Sequence, residues 1–97
     1  AHKTYVFNKT CLNHLSMYIK KLRSDLQKRL LRHQLTDKFE KQCRLFESDV
    51  NHPSLNTELL TPKKLRIYSF RIDRKYRAIF IIVENEAEII DINNHYQ

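Results

Sequence analysis

The sequence has 97 residues, no glycine, and a formal charge of +7 from 18 Lys and Arg against 11 Asp and Glu. With no break in composition, residues 1–97 are expected to form one domain. No apolar run approaches the ~20 residues that span a bilayer, and the opening stretch does not read as a signal peptide. The charge favours a polyanionic partner, nucleic acid or an acidic protein, although net charge alone suits a merely soluble basic protein equally well. Cys11 and Cys43 are isolated, without CxxC spacing, which points to reduced thiols and a cytoplasmic protein.

In chain order, Lys3-Thr4-Tyr5-Val6-Phe7 reads as a strand, and Asn8 is a good N-cap for a helix after it. Leu12, Leu15, Ile19, Leu22, Leu26 and Leu30 recur at three- and four-residue steps, predicting one long helix with Lys and Arg on its other side. Ser24 and Gln27 form a capping pair that places a kink or break near Arg23. A second helix starts at Thr36-Asp37, with Asp37 and Glu40 at capping-box spacing and Phe39, Cys43 and Phe46 as its apolar stripe. It ends before His52-Pro53, and residues 49–62 are expected to be loop.

Three β-rich bursts follow, Ile67 to Ile72, Tyr76 to Val83 and Ala87 to Ile92, separated by breaks short enough for hairpins. The fold class is therefore α+β: an N-terminal strand, two helices and a three-stranded antiparallel meander packed against them.

Chemistry concentrates in the last third. Four cations, Arg71, Arg74, Lys75 and Arg77, fall on one predicted hairpin. A three-residue loop sets Arg71 opposite Arg77 on one sheet face, where like charges repel unless an anion binds between them. A two-residue loop would send them to opposite faces, and they would also be neutralised if they paired with Glu88 or Asp91. His95 beside Tyr96 follows the last strand, where an imidazole suits proton transfer, although terminal residues often fray. His2, His14, His33 and His52 read as surface or loop residues, and no His, Cys and carboxylate spacing suggests a metal site, so neither metal nor cofactor is expected.

Tyr68-Ser69-Phe70-Arg71-Ile72, Tyr76-Arg77-Ala78-Ile79-Phe80, the ending His95-Tyr96 and the earlier His52-Pro53-Ser54-Leu55 resemble the RelE/ParE superfamily of bacterial toxins, above all its YoeB-like branch. The motifs cover residues 52–97, and the first half is similar in element order only. The resemblance implies a metal-independent endoribonuclease, the toxin of a type II toxin–antitoxin system, that cuts mRNA in the ribosome by attack of a ribose 2′-hydroxyl on its own phosphate. It assigns Arg77 to the scissile phosphate, His95 as the acid, Tyr96 as a positioning hydroxyl and, when no gap separates it from Ile72, Glu58 as the base. Arg71, Arg74, Lys75, Lys63 and Lys64 would bind RNA phosphates, ribosomal RNA included, and an acidic antitoxin would cover the site. Two alternatives share the fold: a ParE-like gyrase-inhibiting toxin, against which the His-Tyr ending argues, and an antitoxin-binding domain without catalysis.

Overall fold

The computed structural model describes residues 17–94. A five-stranded sheet has the order β1-β5-β4-β3-β2, formed by β1 (Tyr18–Ile19), β2 (Glu58–Leu59), β3 (Tyr68–Arg71), β4 (Arg77–Val83) and β5 (Glu86–Asn93). β1 runs parallel to β5, and the other pairs are antiparallel. Two helices, α1 (Ser24–Arg32) and α2 (Thr36–Ser48), lie between β1 and β2 in the chain. Among the described residues no helix is long and apolar enough to cross a membrane.

The α+β class and the meander β3-β4-β5 match the expectation, because each burst is rich in β-branched and aromatic residues and the breaks between them are short enough for hairpins. Tyr68 and Phe70 of β3 and Ala78 and Phe80 of β4 point into one core, where α2 contributes Phe39 and Phe46. The Phe46 ring lies edge-on to Phe80 at 5.2 Å and 5.3 Å from Phe70, and Tyr68 stacks on Phe80 at 5.4 Å. Leu26 and Leu30 bring α1 into the same cluster.

The N-terminal half departs from the expectation. The predicted strand at residues 3–7 and the start of the predicted helix lie outside the described residues. Where the long helix is described, it is absent at Ile19, which is in β1, and at Leu22, which precedes α1. Tyr18 and Ile19 are strand formers, and pairing with Glu86 and Ala87 at the sheet edge overrides a leucine spacing that equally fits a helix. At Arg23, where a kink or break in the long helix was expected, α1 instead begins, and by different chemistry. Arg23 occupies the N-cap without a side-chain cap, Gln27 donates to the Leu22 carbonyl, and Arg23 grips Asp25 through two 2.9 Å bonds. Likewise α2 begins behind Leu35, so Asp37 and Glu40 do not form a capping box. The loop at 49–62 contains a 3₁₀ turn (Pro53–Leu55) and β2.

Two features set the register at the end of the sheet. The β3–β4 loop has three residues: Ile72 N–H donates to Tyr76 O at 2.9 Å, and Asp73 Oδ1 accepts from the N–H groups of Lys75 and Tyr76. In β5, Phe80 pairs with Ile89 but Ile79 pairs with Asp91, so Ile90 is an unopposed bulge residue. The extra residue keeps Ile92 in the core opposite Ala78 and sets Asn93 opposite Arg77.

Candidate active site

The three-residue loop puts Arg71 directly opposite Arg77, as the like-charge argument requires. Ser69 shares their face because it is two residues from Arg71, and Glu58 of β2 pairs with Ser69 across the next ladder. Glu58, Ser69, Arg71 and Arg77 therefore share the sheet face opposite the aromatic core, and Asn93 joins them from β5.

The two arginines differ in environment. Arg71 is exposed, whereas Arg77 is only 5% exposed. Arg77 donates from Nε to Ser69 Oγ at 2.9 Å, and from Nη2 to the carbonyls of Asn56 at 2.5 Å and Ser69 at 3.3 Å. A buried guanidinium is tolerable only with such partners. Its bond to Asn56 also ties the loop just ahead of Glu58 to the sheet. The carboxylates considered as partners for these arginines are engaged elsewhere: Asp91 by Arg29 Nη1 at 2.7 Å, and Glu88 by Lys20 at 3.9 Å. Burial pushes the Asp91 carboxyl up, but hydrogen bonds from Asn93, Arg29 and the Ile92 N–H hold it below its ordinary value.

The remaining basic candidates do not form one patch. Arg74 and Lys75 sit exposed at the β3–β4 tip, and Lys63 and Lys64 lie in an exposed 3₁₀ turn (Lys63–Leu65) at the other end of β3. The length of a four-residue strand, roughly 13 Å, lies between the two groups. His95 and Tyr96 lie outside the described residues. Among the described residues no group of three or more His, Cys, Asp or Glu side chains is placed to hold a metal ion.

Sequence reasoning missed the residues that fix Arg77. Ser69 carried a usable signal, a small polar residue in a strand between two aromatics and in phase with Arg71. The Asn56 carbonyl carried none, because any residue supplies a carbonyl there.

No family model matches the sequence, and no curated protein matches it. Among solved structures, the chain is similar to a YoeB/ParE toxin from Agrobacterium tumefaciens, with a TM-score of 0.62 and 16% identity over 84% of this chain and 100% of that one. Sixteen per cent identity supports a likeness of fold and no more. With its helices on one side of the β3-β4-β5 meander and Glu58, Arg71 and Arg77 on the other, the chain shares the overall fold of that solved structure.

Proposed function

We propose that this protein is the toxin of a type II toxin–antitoxin pair and cleaves mRNA without a metal, on the sheet face that carries Glu58, Arg71 and Arg77. The observation that carries the reading is the register: it sets a carboxylate and two guanidiniums around Ser69, a grouping suited to a phosphodiester.

In the proposed reaction Glu58 accepts the proton of a ribose 2′-hydroxyl as that oxygen attacks the adjacent phosphorus. Arg71, exposed, meets the phosphate oxygens, and Arg77, held in place from the sheet, supplies fixed positive charge as the phosphorane gains negative charge. His95 gives a proton to the departing 5′ oxygen as its bond to phosphorus breaks, leaving a 2′,3′-cyclic phosphate and a free 5′-hydroxyl. Tyr96 orients the nucleotide. Lys63, Lys64, Arg74 and Lys75 hold message or ribosomal RNA by their charge, and an acidic antitoxin segment neutralises the same face.

The burial of Arg77 among backbone carbonyls favours a second reading, in which Arg77 is architectural and the fold serves as a gyrase-inhibiting or antitoxin-binding module. Primer extension on translating ribosomes separates the two. Wild-type protein is expected to give discrete cuts that fall at least a hundredfold in Glu58→Gln and His95→Ala. Unchanged message together with blocked gyrase would support the second reading.

A further inference from the structure

A recess of about 610 Å³ lies on the helix side of the β3–β4 hairpin, away from Arg71 and Arg77. Its walls are the turn between α1 and α2 and the hairpin tip, and its lining includes His33, Lys38, Asp73, Arg74, Lys75 and Tyr76. The size falls within the range of small-ligand sites, roughly 300–1,000 Å³.

The charge in the recess is lopsided. Lys38, Arg74 and Lys75 face a single carboxylate, Asp73, whose Oδ1 accepts the N–H groups of Lys75 and Tyr76 while Oδ2 lies 3.5 Å from Lys38 Nζ. The carboxylate is therefore committed to shaping the turn, and the cations outnumber it. Bridging the two walls, the Tyr76 hydroxyl meets His33 Nδ1 at 3.3 Å, and the two rings lie 5.3 Å apart at 36°. Cations beside an aromatic pair, in a concave site, suit a phosphate with a base attached. An acidic peptide would need the charge alone and would gain nothing from the rings.

We infer that this recess binds one nucleotide of single-stranded RNA, its phosphate on Arg74 and Lys75 and its base against the His33–Tyr76 pair. The site is separate from the proposed cleavage face, so RNA occupying both would pass around the hairpin tip.

Fluorescence anisotropy of the intact chain with labelled hexauridylate tests this without reference to cleavage. Arg74→Glu/Lys75→Glu is expected to weaken binding at least tenfold, while the charge-matched Lys28→Glu/Lys41→Glu, on exposed helix positions outside the recess, weakens it less than threefold. His33→Ala is expected to weaken hexauridylate severalfold and leave inorganic tripolyphosphate unchanged. Equal losses in the two double variants would overturn the proposal, reducing the effect to net charge. So would a His33→Ala variant that binds hexauridylate normally, since the rings would then touch no base. An acidic dodecapeptide bound through Arg74 and Lys75, with hexauridylate indifferent to them, would assign the recess to a protein instead.

Discussion

Arg71 and Arg77 face each other across one ladder, yet they answer to different forces. Removing Arg77 strips donors from the Asn56 and Ser69 carbonyls and from Ser69 Oγ in a buried setting, so Arg77→Ala should cost ~2–4 kcal/mol in urea unfolding. Arg71→Ala loses only an exposed charge opposite a like one and should change stability by under ~0.5 kcal/mol. The contrast makes Arg71→Ala the cleaner probe of catalysis, because its activity can be read without correcting for unfolded protein. Cys43 offers a second check at this scale. Burial, followed by the charges of Glu47 and Glu40, pushes its thiol up to about 12, so in the native state at pH 8 it should resist a disulfide reagent and react only on unfolding. Rapid native-state labelling would show that the packing around α2 is looser than described.

At the scale of elements, a chain without glycine must turn with residues that carry a side chain. Gln34, Asn56, Arg66, Glu84 and Asn85 all take positive φ. Gln34 follows α1 at φ 58°, where Leu35 N–H returns to Leu30 O at 2.8 Å and Gln34 N–H to Leu31 O at 3.1 Å, a Schellman ending that glycine normally serves. Gln34→Gly should therefore stabilise the protein by ~0.5–1 kcal/mol, read as a higher urea midpoint; a loss would mean that the Gln34 side chain makes a compensating contact.

The turn at Asp73 gives a pH dependence. Burial pushes this carboxyl up, but the N–H groups of Tyr76 and Lys75 and the Lys38 ammonium together hold it below its ordinary value of 3.8. A carboxyl depressed by folding contributes stability above its unfolded value and loses it as the pH falls through the folded one. The urea midpoint should drop as pH falls below about 4, and Asp73→Asn should drop less.

The elements also show what a sequence reveals. The meander was legible because Ile67 to Ile72, Tyr76 to Val83 and Ala87 to Ile92 are rich in β-branched and aromatic residues and the breaks between them are short enough for hairpins; the bulge at Ile90 was not. β1 was not legible. Two residues carry too little pattern to outweigh a leucine spacing, and their pairing with β5 depends on residues about 70 positions away.

For the whole molecule, the separation of faces matters most. Helices and the aromatic core occupy one side of the sheet, and Glu58, Arg71 and Arg77 share the other; the Arg71–Arg77 pairing was legible from their spacing once the loop length is known, whereas the place of Glu58 was not, because residues 49–62 read as loop. The anchoring of Arg77 by the Asn56 carbonyl was not legible, because it joins a loop and a strand through backbone atoms. The same separation sets the nucleotide recess and the proposed cleavage face on opposite sides of one hairpin.

The most direct test of the ribonuclease reading is the chemistry of the ends it leaves on a message. Wild-type protein acting on translating ribosomes is predicted to produce a 2′,3′-cyclic phosphate and a 5′-hydroxyl, identified by mass spectrometry, and to spare a message carrying a single 2′-deoxynucleotide at the mapped cut. Cleavage at the deoxy position, or ends bearing a 3′-hydroxyl and a 5′-phosphate, would contradict it.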